Sequence, residues 1–357
     1  MTPSSDDDNS AAASAAARPP PVLPWKVKLF VKLMLFAVDR CYRPDGTVNR
    51  RVMSWFDRKS RPGRRSNGVS STDVTVDPGR DLWFRLYTPS TTATAAAAGP
   101  LPLIFFFHGG GFAFMAPDST PYDDLCRRLA AEVPAVVISV NYRLAPEHRC
   151  PCQYEDGVDV LKFVDGGSCD EVASLCKKAG TVEPKRSFVA GDSAGGNIAH
   201  HVTMRAGAHK FSTLELIGHI SIQPLFGGEE RTASELELAD APFSTWKRTD
   251  VTWKLFTPVG SDRDHVAVNV FGPNCEDIMS RVKFPATVLF VGGYDPLKDW
   301  QRRYYQGLKN AGKEAKLVEY ENAIHTFYSY PEMPESGRFV ETVRDFVRDP
   351  IGFCSSG

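Results

Sequence analysis

Ser193 stands in a setting prepared for chemistry. It occupies the centre of Gly191-Asp192-Ser193-Ala194-Gly195, between an apolar run at 188–190 and a helix-compatible stretch at 197–205. A G-x-S-x-G turn between strand and helix lifts a serine hydroxyl clear of the chain, on a corner where only small flanking residues fit. The N-terminus of the following helix favours negative charge developing beside it. Such a serine is a nucleophile for acyl transfer if a base, an acid and oxyanion donors converge on it. Alone, the five residues describe equally well a glycine-rich turn with an incidental serine.

Partners with the right chemistry exist elsewhere. His108-Gly109-Gly110-Gly111-Phe112 follows an apolar run at 103–107. Acyl transfer needs backbone N–H groups aimed at the oxyanion, and glycines let the chain approach a substrate closely. The oxyanion hole is expected from Gly109, Gly110, Gly111 and Ala194, with Gly110, Gly111 and Ala194 donating and Gly109 shaping the loop. A phosphate-binding loop fits poorly, because no Lys-Ser/Thr follows and G-x-G-x-x-G spacing is absent. His108 precedes the serine and adjoins the glycines, so it is expected to anchor that loop rather than act as base. Downstream, a strand candidate at 287–291 leads into Gly292-Gly293-Tyr294-Asp295, which makes Asp295 the acid; Asp299 reads as a helix N-terminal residue. A strand candidate at 316–319 precedes a loop that carries His325, the base. His200 and His201 fall in the helix after the serine, while His209, His219 and His265 have no acid or strand end in register. The catalytic set expected is Ser193, Asp295 and His325, in the order nucleophile, acid, base. No metal ligand set and no cofactor are expected.

Buried strands alternating with amphipathic helices must position these residues, which implies α/β architecture with a mostly parallel central sheet flanked by helices. Two antiparallel strands at 69–76 and 82–87, around the turn at Pro78-Gly79, precede it. Helical spacing of Val27, Phe30, Val31, Met34, Leu35 and Val38 predicts an N-terminal amphipathic helix over 24–39, with a second short helix at 50–56. The expected organisation is a disordered tail at 1–21, an N-terminal helical lid at 22–60, whose apolar pattern fits a plug of a core groove equally well, and an α/β domain at 61–357. Within that domain, 224–285 breaks the rhythm and is expected to add cap structure.

Over 357 residues, 42% hydrophobic and 24% charged, the chain has ordinary globular composition. A formal net charge of -1 gives no overall electrostatic reason to expect nucleic acid or an anionic membrane. Asp6-Asp7-Asp8 and the Ala/Ser tract do not make a secretory signal, and Lys28 and Lys32 interrupt the early apolar stretch, so no membrane span is expected. Eight scattered cysteines without C-x-x-C pairs suit reduced thiols. The expected setting is cytoplasmic, with the nucleus also open to it, and not secreted.

Together, His108-Gly-Gly-Gly, Asn141-Tyr-Arg-Leu-Ala-Pro-Glu-His, Gly191-Asp-Ser-Ala-Gly-Gly, Asp295-Pro-Leu and His325 resemble the hormone-sensitive-lipase-like group of α/β-hydrolases, and within it the plant carboxylesterases. The resemblance runs from about Val22 to the C-terminus. It implies the α/β-hydrolase fold, a Ser-Asp-His triad and hydrolysis of a small-molecule ester, such as a plant hormone or secondary-metabolite ester. Arg43-Pro-Asp-Gly-Thr-Val-Asn-Arg, Phe56-Asp-Arg-Lys, Tyr122-Asp-Asp-Leu-Cys-Arg-Arg-Leu and Phe226-Gly-Gly-Glu-Glu-Arg-Thr are similar to the gibberellin-receptor family, whose N-terminal helix closes over the hormone. That family lacks the catalytic histidine, where this chain has His325. It has a second arginine where this chain has Tyr42, and an Arg-Asp-Arg-Asp-Trp-Tyr-Trp run where this chain has Lys247-Arg248-Thr249-Asp250-Val251-Thr252-Trp253. The expectation is an active serine carboxylesterase with a receptor-like lid. The alternatives are a non-catalytic hormone receptor, or an acyltransferase or lyase on the same scaffold; Ser193 speaks against the lyase.

Overall fold

The protein is described here from a computed structural model covering residues 21–63, 68–90, 99–167, 169–177, 182–241, 244–276 and 279–356, with backbone only at 176 and 177. The tail expected at 1–21 lies almost wholly outside the described residues.

Continuous apolar runs make buried strands. In β3 (Leu101–Phe107), every residue is buried. Ile104 and Phe106 join one core cluster, and Leu103, Phe105 and Phe107 join the cluster on the opposite face. Both faces of this strand are therefore covered, as a parallel sheet requires. The other strands are β1 (Val69–Asp77), β2 (Leu82–Pro89), β4 (Val136–Asn141), β5 (Val182–Asp192), β6 (Leu216–Ile222), β7 (Ala286–Tyr294) and β8 (Ala315–Ile324). Among the described residues these eight form one sheet in the order β1-β2-β4-β3-β5-β6-β7-β8. Only the β1–β2 and β2–β4 pairings are antiparallel. Asp77, which accepts from the Gly79 N–H, caps the tight turn between β1 and β2.

Helices cover both faces. They are α1 (Trp25–Cys41), α2 (Arg50–Met53), α3 (Thr120–Glu132), α4 (Cys152–Asp165), α5 (Asp170–Lys177), α6 (Ala194–Ala206), α7 (Ala233–Glu237), α8 (Trp246–Phe256), α9 (Lys298–Asn310), α10 (Pro334–Arg348) and α11 (Pro350–Ser355). The helix expected over 50–56 is shorter, ending at Met53 and continuing as a turn in which the Asp57 N–H donates to the Met53 carbonyl. Neither α5 nor α11 is signalled by the sequence, because each is too short to establish an apolar period. The break in rhythm at 224–285 contains α7 and α8.

Sheet register brings the chemistry together. Phe107 of β3 pairs beside Gly191 of β5, and Asp192 beside Ile222 of β6. Tyr294 of β7 pairs with Ile324 of β8. His108, Ser193, Gln223, Asp295 and His325 are each the first residue beyond a strand, so all emerge at the same carboxyl edge. Open α/β sheets bind ligands at that edge. The loop expected at 321–324 is instead the end of β8. Gly293 makes this possible, since a Cβ there would lie 2.1 Å from the Glu321 carbonyl oxygen.

Above that edge lies the N-terminal segment. Met34, Ala37 and Cys41 of α1 and Met53 of α2 pack with Ala113 and Phe114, just beyond the glycine loop, and with Leu255 of α8. Arg50 ties α2 to the same region through the Ala113 and Ala145 carbonyls and Glu147.

Candidate functional site

Close approach of backbones builds the turn around Ser193. A Cβ on Gly191 would sit 2.1 Å from the Gly195 carbonyl oxygen, and one on Gly195 would sit 2.0 Å from that of Phe107. Neither space admits a side chain. Ser193 itself adopts φ 52 and ψ -118, left-handed backbone strained for a residue with a side chain. The corner is held because the Ser193 N–H donates to the Ile222 carbonyl and the Leu225 N–H to the Ser193 carbonyl.

From this corner a line of hydrogen bonds runs inward. Ser193 Oγ lies 3.0 Å from His325 Nε2, and His325 Nδ1 lies 2.8 Å from Asp295 Oδ2. A carboxylate only accepts, so Nδ1 carries the imidazole proton and Nε2 is free to accept from the serine hydroxyl. Burial alone would pull the His325 imidazole down in pKa, but the charge and hydrogen bond of Asp295, with a smaller push from Asp192, hold it above its ordinary value. Asp295 is completely buried. Its Oδ2 also accepts from Gln223 Nε2 and Gln301 Nε2, each at 3.0 Å, and its Oδ1 accepts from the Leu297 N–H. Gln223 does double duty, since its Oε1 accepts from the Thr326 N–H and fixes the chain just after His325. Asp299 lies in the first turn of α9, where its carboxylate accepts from the Ser234 N–H, away from this line.

The glycine loop lies against the same corner. The Gly109 N–H donates to Tyr122 Oη and to Asp192 Oδ1, so it is committed within the protein. The N–H groups of Gly110, Gly111 and Ala194 take no protein acceptor among the described residues. Gly110 and Gly111 have φ of +102° and +60°, the left-handed region that glycine adopts freely. His108 is fully buried and stacks on Tyr142 with ring centroids 4.3 Å apart. Its Nδ1–H donates to the Gly109 carbonyl, and Tyr142 Oη–H donates to the His108 carbonyl. Burial pushes the His108 imidazole down to about 3, which keeps it neutral. His200, His201 and His219 are likewise held neutral by burial, remote from the line to Ser193.

A further group at the centre has no residue-type signal of its own. Asp192 is buried, and its Oδ2 accepts from Tyr122 Oη at 2.9 Å and Tyr328 Oη at 2.6 Å. Burial raises its carboxyl to about 6 despite those hydrogen bonds, the nearby His325 and the Gly109 N–H. Only its place inside the Gly191–Gly195 motif marked it.

The corner opens into a cavity of about 170 Å³. Met34, Val38 and Tyr42, from α1 and its C-terminal end, form one wall; Arg248, Thr249 and Thr252 of α8 form another. The floor includes Ser193, His325, Gly110 and Gly111. Burial drives the Tyr42 phenol up to about 12, against a hydrogen bond with Thr252 that favours ionisation, so it stays a neutral hydroxyl.

Comparison with known proteins agrees with this architecture. A family model described as the alpha/beta hydrolase fold matches residues 104–329. The gibberellin receptor GID1C of Arabidopsis thaliana is 40% identical over 91% of this chain and 94% of its own. Carboxylesterase 20 of the same plant is 33% identical over 79% of this chain and 86% of its own. Among solved structures, an ester hydrolase from the Lake Arreo metagenome has a TM-score of 0.69 at 25% identity, covering 93% of this chain and all of that one. The hyperthermophilic esterase of Pyrobaculum calidifontis has a TM-score of 0.65 at 27% identity, covering 90% and 92%. This chain belongs to the α/β-hydrolase family, in the hormone-sensitive-lipase-like group alongside plant carboxylesterases and gibberellin receptors.

Proposed function

We propose that this protein is a serine carboxylesterase acting on small-molecule esters, of the plant hormone or secondary-metabolite kind, in the cytoplasm. The observation that carries the reading is the unbroken line from Ser193 Oγ through His325 to buried Asp295, with contacts of 3.0 and 2.8 Å. Ser193 Oγ attacks the ester carbonyl carbon while His325 Nε2 takes its proton. Asp295 stabilises the resulting imidazolium. The tetrahedral oxyanion sits on the N–H groups of Gly110, Gly111 and Ala194, each donor worth ~3–4 kcal/mol in the transition state. His325 then protonates the departing alcohol oxygen, leaving an acyl-enzyme. Water gives a proton to His325 as its oxygen adds to the acyl carbon, and collapse returns that proton to Ser193 and frees the acid. Residues 22–60 serve as a lid over the cavity, and 224–285 contribute the opposing cap.

A second reading, a hormone receptor, is favoured by one observation. The cavity is walled by α1 residues within a segment similar to gibberellin receptors. Hydrolysis of p-nitrophenyl acetate by the wild type, Ser193→Ala and His325→Ala separates the two. Turnover in the wild type that is lost in both variants supports the esterase. Absence of turnover in a folded wild type, with hormone binding indifferent to both substitutions, establishes the receptor instead.

A further inference from the structure

Helix α1 has two apolar faces. Val27, Val31, Met34 and Cys41 point into the protein. Trp25, Leu29, Leu33 and Phe36 face the other way and are 70%, 51%, 48% and 54% exposed. At a helical step of 100° these four fall within a sector of about 80° on the outer side. Exposed Lys26 and Lys32 flank that sector, with exposed Lys28 beyond Lys32 and Arg40 closing its C-terminal end. None of these four cations is in an ion pair among the described residues. The acid on the outer part of the helix, Asp39, is already held by Arg248 at 2.9 and 2.8 Å. The overall charge of -1 conceals this basic, apolar ridge.

We propose that the outer face of α1 docks on an anionic phospholipid surface. Trp, Phe and Leu flanked by lysines are the side chains that lie at the boundary between headgroups and acyl chains. The ridge is convex: the groove beside α1 is lined by Lys28, Val31, Lys32 and Leu35 and includes none of the four stripe residues. A convex ridge suits a deformable, planar partner better than a folded one that needs a complementary pocket. No helix among the described residues is long and apolar enough to cross a membrane, so α1 would lie on the surface rather than span it. Docked this way, the helix that walls the cavity on its inner face meets lipid on its outer face. The inference stands on these outward residues and not on Ser193, so it is tested without turnover.

The test is co-sedimentation of the full chain with sucrose-loaded phosphatidylcholine vesicles, with and without phosphatidylserine. Sedimentation that requires phosphatidylserine and weakens with salt is expected. The pair Lys26→Gln and Lys32→Gln should weaken it by about thirtyfold, at roughly fivefold per lysine. The pair Leu29→Ser and Leu33→Ser should abolish it while shifting the thermal transition only slightly, since about half of each side chain already faces water. Failure to sediment overturns the proposal, as does equal binding without phosphatidylserine or full binding by the serine pair. Capture of an acidic protein by this face, with no vesicle binding, also overturns it.

Discussion

The Gly109 N–H donates to Asp192 Oδ1 at 2.9 Å, joining the glycine loop to the residue immediately before Ser193. Two tyrosine hydroxyls, from Tyr122 and Tyr328, converge on the other oxygen of the same carboxylate. The oxyanion donors proposed on the loop and the proposed nucleophile are thus fixed to each other through one buried side chain. Asp192→Asn keeps the size but replaces one acceptor oxygen by a donor, so either the Gly109 N–H faces an amide N–H or the two tyrosine hydroxyls turn to accept and lose the acceptor for their own protons. The expected result is a fall in kcat of about tenfold to a hundredfold, from loosened loop placement, with KM changed little. A rise in KM at constant kcat would count against this positioning role.

Asp192 also makes a signed prediction for stability. Its carboxyl is raised to about 6 by burial, above the unfolded value of 3.8. The folded state therefore holds the proton more tightly. The stabilisation from this group is complete below about pH 4 and is lost as pH rises through 6. Chemical denaturation of the wild type and Asp192→Asn across that window measures it. Relative to the variant, wild-type stability should decline by about 2 kcal/mol as pH rises from 4 to 6. A parallel pair of curves would mean that the carboxyl is not perturbed.

In the proposed reaction His325 governs the acid limb. It must be neutral at Nε2 to accept the serine proton, and Asp295 holds its pKa above the ordinary 6.5. Activity, read as kcat/KM, should rise with pH through a value above 6.5. Asp295→Asn removes both the charge and the hydrogen bond that raise it. The limb should then move to lower pH, while kcat drops by on the order of 10⁴ as the imidazole loses its tautomeric anchor.

Gly110 tests the loop by shape. Its φ is +102°, and a Cβ would lie 2.4 Å from the Phe114 carbonyl oxygen, a backbone atom that cannot simply rotate away. Gly110→Ala should displace the donor N–H groups and lower kcat by about 10²–10³. Circular dichroism and the thermal midpoint should show the fold retained. Activity within a factor of two of wild type would remove Gly110 from the proposed oxyanion site.

The positions of Ser193, Asp295 and His325 were legible because each follows an apolar strand, and two of them adjoin glycines whose spacing has a steric cause. The sheet and most helices were legible for the same reason, since long apolar periods survive in the linear sequence. The supporting partners were not. Tyr328 reaches Asp192 from 136 residues away, and Gln223 reaches Asp295 from 72. Neither residue type is unusual enough to announce its role, and only the sheet register brings the pairs together. The end of β8 reads as loop in the sequence because Glu321 and Asn322 are polar. Backbone pairing across Gly293, rather than side-chain burial, keeps that stretch extended.

The pairing of Asp39 with Arg248 bridges α1 to α8 beside the cavity that Arg248 helps to line. Both carboxylate oxygens are engaged, yet Asp39 is exposed, so the pair contributes no more than about 1 kcal/mol to overall stability. Its effect should be local. Asp39→Asn is expected to leave the thermal midpoint nearly unchanged but to quicken amide exchange in α1, because one of few polar ties between the two walls is weakened. If the lid must close for the ester to be held, KM should rise by about twofold to fivefold, with kcat falling less. Added salt should narrow the gap between wild type and variant by screening the intact pair. Unchanged exchange in α1 together with unchanged KM would show that this pair does not hold the lid.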